Sequence, residues 1–538
     1  MSLPRTNFVK PVSAIWWGYS VHGLLRVMGI LFMLSAMSGC SMLRTLPPQE
    51  PSYAMAPDPQ SRLGMVVASL PTPTQGESMF RLLESGRSAL VARLAMVERA
   101  DKSLDLQYYL IHADTSGRLL AQAILRAADR GVRVRVLLDD VDTAKHEAAI
   151  IGLDAHPNIQ IRLFNPFAVR GDSPLGRAAQ FLGDGRLNHR MHNKLFLADN
   201  LMGIAGGRNI GDEYFEADSP VAFHDLDVMA VGPVVADMSK AFDDYWNSPY
   251  AVSVRAIPKP DKRERLLAGV RAALEQNLAE LDQGILFDYM GLDALNGYGA
   301  GEISPWLSGQ AEFLSDPPQK VDNAASASQL PLARLLDRGL AVRKELLIAS
   351  PYFVPGRVGV DLLGYLHGRG AAVRLLTNSV AATDVLVVHG GYAKYRLPML
   401  LNGIELYELK PTREQHKFFR RLGGSSSRTS LHSKVMVFDR QAVYIGSMNL
   451  DPRSLLLNTE SGLLIRSSAV AEEAARFVES RMQPQASYRI RIDRDQVKGR
   501  PELVWVDGDV VHKEEPNTGF WTRLLMDLIS ASQWEELL

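Results

Sequence analysis

The sequence predicts an α/β protein built from two tandem α-β-α domains, related by pseudo-two-fold symmetry, with an active site at their interface. Three observations carry that expectation. Leu104 to Leu110 reads as a strand, Gly117 to Arg130 as an amphipathic helix, and Val132 to Leu138 as a second strand that alternates and then turns wholly apolar, which makes a βαβ unit. The passage recurs as Leu346 to Phe353, a helix over Val360 to His367, and Gly370 to Leu376, with 370 − 131 = 239 residues between Gly131 and Gly370. A period of that length means duplicated domains rather than a solenoid. Finally, His192-Asn193-Lys194 with Asp199, and His432-Ser433-Lys434 with Asp439, are two copies of HxKxxxxD set 432 − 192 = 240 residues apart. One copy is expected by chance roughly 0.02 times in this composition, so two in register with an independent repeat are not accidental.

Taken in chain order, residues 1–39 read as a leader. Arg5, Lys10 and Arg26 precede the apolar run Val27 to Met37, which is shorter than the ~20 helical residues a bilayer needs and suits a signal-peptide core. Met37-Ser38-Gly39-Cys40 resembles a bacterial lipobox, which implies that Cys40, the one cysteine of the chain, is lipidated and becomes the first mature residue. The same resemblance implies that Ser41, a residue other than Asp at the next position, favours sorting to the outer membrane. The alternatives are a secreted chain with an incidental cysteine and a tethering helix drawn from 15–37. Residues 40–78 hold a Pro-rich segment that reads as a semi-extended tether. The first domain is assigned to 79–260, opening with Phe80, Leu83, Leu90, Val91, Leu94 and Val97 at helical spacing, and the second to 261–538. Near the end, Phe520, Trp521, Leu524, Leu525, Leu528, Ile529 and Trp534 fit an amphipathic helix, either interfacial or docked on its own domain.

Each HxKxxxxD copy is followed at the same distance by a small-residue turn and an asparagine, Gly206-Gly207-Arg208-Asn209 and Gly446-Ser447-Met448-Asn449. With both motifs intact, the chain resembles the phospholipase D superfamily, over about residue 79 to the end. Within it the chain is most similar to bacterial cardiolipin synthases of the C type. Gln107-Tyr108-Tyr109, Leu163-Phe164-Asn165-Pro166-Phe167, Arg190-Met191-His192-Asn193-Lys194 and Gly403-Ile404-Glu405-Leu406-Tyr407-Glu408 carry that narrower match. The lipobox departs from the transmembrane helices of other cardiolipin synthases and implies catalysis on the periplasmic side of the envelope.

The residue types suit phosphodiester chemistry. A phosphodiester repels nucleophiles, so fixed positive charge and neutral donors must surround its oxygens. Lys194 and Lys434 supply the charge, Asn209 and Asn449 the amide donors. One neutral imidazole can attack phosphorus to form a phosphohistidine while the other, protonated, hands a proton to the departing alcohol. The resemblance implies that His192 is the nucleophile and His432 the acid, whereas the pseudo-symmetry alone allows the reverse. Asp225 and Glu460 are candidates for fixing the imidazoles, with Asp227 competing with Asp225. Asp199 and Asp439, about 16 Å along the strand from the lysines at ~3.3 Å per residue, are assigned a structural or supporting role. No metal and no cofactor is expected.

The resemblance implies a phosphatidyltransferase acting on phosphatidylglycerol, with phosphatidylethanolamine as a candidate donor. A phospholipase D giving phosphatidic acid, a nuclease of the superfamily and a non-catalytic lipoprotein scaffold are the alternatives. With 59 Lys+Arg against 60 Asp+Glu, the chain lacks the global basic field of a nucleic-acid coat, so nucleic acid is not expected as a partner. Local basic residues, Arg170, Arg177, Arg186 and Arg190, then Arg413, Lys417, Arg420, Arg421 and Arg428 beside Phe418 and Phe419, suit either a lipid surface or a solvated loop. A monomer with an internal pseudo-dimer is expected.

Overall fold

The computed structural model describes residues 49–167, 185–217, 219–256, 263–280, 304–322, 325–411, 413–414, 427–493 and 501–531. The described residues within 49–166 and 188–531 form one compact unit. In its first half the strands are β1 (Ser78–Leu83), β2 (Ser103–Tyr108), β3 (Arg133–Asp139), β4 (Ile159–Phe164), β5 (Leu195–Ala198), β6 (Met202–Gly206), β7 (Val221–His224), β8 (Asp227–Val231) and β9 (Ala251–Ser253). In the second they are β10 (Leu307–Ser315), β11 (Glu345–Ala349), β12 (Ala372–Asn378), β13 (Glu405–Leu409), β14 (Arg413–Glu414), β15 (Ser427–Leu431), β16 (Lys434–Phe438), β17 (Ala442–Gly446), β18 (Ser461–Arg466), β19 (Ser487–Asp493), β20 (Glu502–Asp507) and β21 (Val510–His512).

The pairings show the duplication directly. β2, β3 and β4 run parallel, and β5, β6, β8 and β1 continue antiparallel from the other side of β2. In the second half β11, β12 and β13 are parallel, and β16, β17, β18 and β10 continue from β11 in the same way. The two sheets join where β1 pairs with the start of β10. The expected α/β fold with two related halves is therefore the fold found. Gly131 and Gly370 sit at φ +96° and +95° between helix and strand, the left-handed turn for which glycine is favoured.

Three buried clusters make the core. One lies on the outer face of the first sheet, one on the outer face of the second, and a central one is shared. Helices Val234–Trp246 and Ser468–Arg481 feed the central cluster with Phe242, Trp246, Phe477 and Val478. Burial of this shared apolar surface holds the halves together.

Several boundaries differ from the sequence expectation. Phe80 and Leu83 belong to a strand, and the helix starts only at Gly86, capped by the Ser85 hydroxyl. The apolar spacing there mixes a buried strand with the helix that follows it. The expected tether is docked in its described part. Arg135 and Arg162 donate to the backbone carbonyls of Ser52 and Glu50 at 2.7 and 2.8 Å, and Ala54 N–H donates to Asp243 at 2.8 Å. Leu63, on helix Arg62–Ala68, is fully buried. Helix Arg263–Glu280, which opens the second assigned domain, packs Leu266 and Val270 against Gly152 of the first. Cys40 and the leader lie outside the described residues.

Candidate active site

Each HxK triplet leads into a buried central strand, β5 or β16. The motif aspartates stand at the far ends of these strands, in turns where Asp199 and Asn200, then Asp439 and Arg440, all take φ between 53° and 54°. Asp and Asn tolerate that left-handed conformation better than most residues. The Asp199 carboxylate accepts backbone N–H bonds from Asp101, Lys102 and Ser103 at 2.9, 2.7 and 2.8 Å, and Asp439 accepts from Arg343, Lys344 and Glu345. Both tie a hairpin to the start of the neighbouring strand, away from the histidines.

The histidines are reached from across the duplication. β7 runs parallel to β15, and His432 N–H donates to His224 O at 2.8 Å. In mirrored fashion Met191 bridges Thr459, and His192 N–H donates to Thr459 O at 2.9 Å. The residue after each of those carbonyls is a carboxylate. Asp225 Oδ2 therefore lies 2.6 Å from His432 Nδ1, and Glu460 Oε2 lies 2.9 Å from His192 Nδ1. Each imidazole is oriented by the other half. Asp227 is committed elsewhere, 2.8 Å from the buried Arg93 guanidinium.

Lys194 Nζ donates to His192 O at 2.7 Å, and Lys434 Nζ donates to His432 O. Asn209 Nδ2 donates to Tyr214 Oη at 2.8 Å, whereas buried Asn449 Oδ1 has no hydrogen-bond donor among the described residues. Aromatic rings wall the imidazoles: Tyr109 stands edge-on to His192 at 5.1 Å, and Tyr214 and Phe223 lie 5.2 and 4.9 Å from His432. Sequence reasoning did not assign these three rings. Tyr109 alone carried a signal, its place in Gln107-Tyr108-Tyr109 and just past the carboxyl end of β2, where α/β sheets place ligands.

The two halves are electrostatically unequal. Burial pushes His192 well below the usual histidine range, and Lys194, Lys434 and His432 push it further. Burial and Lys434 also lower His432, but Asp225 opposes them. Burial would raise Asp225, yet the charge and hydrogen bond of His432, with Lys434 and Arg208, outweigh it and bring the carboxyl down to about 2. Burial raises Glu460 to about 7 despite Lys194. The ionised partner is thus on His432, and the imidazolium form is disfavoured less there than at His192. Lys434 is lowered by burial to about 8, with Asp225 and Glu460 supporting its charge.

The small-residue turns make the difference between the carboxylates. At Gly207 an added Cβ would lie 2.4 Å from Asp225 Oδ1, so glycine makes room for the short side chain. The matching Ser447 instead donates its hydroxyl to Glu460 Oε2. Of the basic residues expected at a lipid surface, Arg190 is buried and pairs with Asp139 at 3.2 Å and Asn165 O at 2.8 Å. That pairing makes it an internal brace rather than a headgroup contact. Arg170, Arg177, Lys417, Phe418, Phe419, Arg420 and Arg421 lie outside the described residues. Among the described residues one group, His112, Asp114 and Glu213, brings metal-type ligand atoms within 4.8 Å. Asp114 already accepts from Gly117 and Asp212 N–H, and Glu213 lies 3.2 Å from His112.

Two HxK histidines braced crosswise on a duplicated α/β frame define a phosphodiester-handling protein of the phospholipase D type. The family described as "Cardiolipin synthase, PLD-like domain" matches residues 94–246 and 339–482. Cardiolipin synthase C of Escherichia coli (strain K12) is 40% identical over 493 residues, covering 89% of this chain and 100% of the relative. Cardiolipin synthase A of Pseudomonas syringae pv. syringae (strain B728a) is 26% identical over 393 residues, 73% of this chain and 66% of the relative. The crystal structure of phosphatidylserine synthase from Haemophilus influenzae Rd KW20 shares the fold with a TM-score of 0.56 at 14% identity, covering 88% of this chain and 98% of the other. The chain belongs to the PLD-like cardiolipin synthase family.

Proposed function

We propose that the protein is a phosphatidyltransferase of the cardiolipin synthase type, moving a phosphatidyl group to the free hydroxyl of phosphatidylglycerol. The observation that carries the reading is the unequal, crosswise-braced histidine pair. Neutral His192 is suited to attack phosphorus, forming a P–N bond as the P–O bond to the departing alcohol breaks and His432 delivers its proton. An acceptor hydroxyl then gives its proton to His432 and displaces His192. Lys194 and Lys434 hold the non-bridging oxygens, with Asn209 and Asn449 as donors. Exchange of one phosphodiester for another is nearly isoenergetic, so no nucleotide is required. Phosphatidylethanolamine is the candidate donor beside phosphatidylglycerol.

A lipid-anchored, periplasmic monomer with an internal pseudo-dimer fits the same reading, with Cys40 as the anchor and Ser41 favouring the outer membrane. The C-terminal helix Phe520–Ala531 supports contact with a membrane surface. Its Ile529 and Ser530 meet Gly390, while Phe520, Trp521 and Leu528 on the opposite face are 64%, 77% and 62% exposed. No helix among the described residues is long and apolar enough to cross a membrane.

The test gives purified protein labelled phosphatidylglycerol with phosphatidylethanolamine in vesicles. Cardiolipin is expected, lost in His192→Ala and His432→Ala. Phosphatidic acid alone would make the protein a hydrolase, and no turnover would sink the reading. Cys40→Ala is expected to move the protein out of membrane pellets, and retention there at high salt would place the anchor elsewhere.

A further inference from the structure

Beside the site, the first half holds a cavity of about 430 Å³. It lies between the outer face of β2 to β4 and three helices, Thr115–Asp129, Glu147–Asp154 and Arg263–Glu280. Leu106, Leu120, Ile124, Val136 and Ile150 typify its apolar lining. Protein interiors hold few voids larger than a water molecule, whereas sites for apolar ligands run to ~300–1,000 Å³. A cavity of this size and lining falls within the range of sites that take apolar ligands.

Its position says which. Tyr109 lines the cavity and also stands edge-on to His192 at 5.1 Å, with Lys194 Nζ 5.5 Å from its ring. Asp139, another lining residue, accepts the backbone N–H of Met191 directly before His192. One end of the cavity is thus a single side chain away from the phosphorus-binding centre, and exposed Arg118 and Gln276 mark where its wall reaches solvent. The second half differs. There the helices joining β12 to β13 bury Tyr392 and Met399 against its outer cluster, where the helix joining β3 to β4 presents Ala149 and Ile150 to the cavity.

We infer that this cavity receives one acyl chain of the phosphatidyl group while its phosphorus is held at His192. The inference rests on the phosphatidyltransfer reading and adds the binding place of the chain. It makes the first half the lipid-holding half and leaves the His432 side for alcohols to leave and enter.

The full-length protein, irradiated with phosphatidylglycerol that carries a diazirine near the end of one acyl chain, is expected to be labelled on peptides of helices Thr115–Asp129, Glu147–Asp154 or Arg263–Glu280. Label confined to helix Phe520–Ala531, or spread without preference, would overturn the inference. Ala121→Trp, which places an indole in the cavity, is expected to lower kcat/KM for dioleoyl-phosphatidylglycerol at least tenfold more than for the dihexanoyl lipid. An unchanged ratio would refute it. If Ala121→Trp does not fold, Ile150→Phe is judged by the same ratio. The ratio can be read on cardiolipin or on phosphatidic acid, and labelling needs no turnover, so failure of the transfer reading is distinguishable from failure of the cavity assignment.

Discussion

Replacing Asp225 with asparagine isolates what the crossed carboxylate does. An amide oxygen can still accept the Nδ1–H of His432, so ring orientation is kept and the negative charge alone is lost. The fall of Asp225 from the ordinary 3.8 to about 2 corresponds to about 2 kcal/mol in favour of the ionised carboxylate, at ~1.4 kcal/mol per tenfold, with His432 the largest of the charges responsible. The same coupling supports the imidazolium. Asp225→Asn is therefore expected to lower kcat about 30-fold for a phospholipid, whose alcohol must be protonated to leave. A p-nitrophenyl phosphodiester, whose leaving group departs as an anion, is expected to lose less than threefold in its first step, read as the burst of p-nitrophenol. Removing the negative charge disfavours protonated His432, so the alkaline limb of the kcat profile moves to lower pH. Equal losses on both substrates, or a limb that stays in place, would refute the assignment of His432 as the acid.

Gly207→Ala is expected to mimic that variant, because the new methyl meets Asp225 Oδ1 at 2.4 Å and must push it from His432; a fully active variant would show that the carboxylate need not be held there. Glu460→Gln should cost less at pH 6 than at pH 8, since a carboxyl raised to about 7 is mostly protonated at the lower pH, and pH-resolved kcat values check the sign. Asp199→Ala is expected to destabilise the protein by about 3 kcal/mol by orphaning three backbone N–H groups. Asp439→Ala should cost less, because its half-buried site admits water; thermal unfolding of the pair gives the order.

Much of this molecule was legible because duplication repeats its signals. Gly131 and Gly370 mark equivalent helix-to-strand turns, and the parallel strands after them alternate and then reach the buried apolar pairs Leu137-Leu138 and Leu375-Leu376. The histidines and lysines were readable from spacing alone. The crossing of Asp225 and Glu460 was not, because spacing along the chain orders them after their own motifs and says nothing of β7 lying beside β15. The docked segment around Ser52 escaped notice for a different reason. It binds through main-chain carbonyls, which every sequence possesses, to Arg135 and Arg162. The strand at 78–83 was obscured by the helix that follows it, since two short apolar periods placed end to end imitate one longer one.

The crossed carboxylates also fix when this chain can become active. His192 waits for a residue 268 positions later, and Asp225 is idle until His432 arrives 207 positions on. A chain growing from its N-terminus can fold the first sheet and place the first histidine, yet that imidazole has no acceptor until Glu460 has emerged and β18 has paired. A chain truncated before Glu460 is therefore expected to be inactive, which an assay of the purified fragment checks. Separately produced halves should regain activity only on reassociation, and a defect in either half disables the histidine of the other.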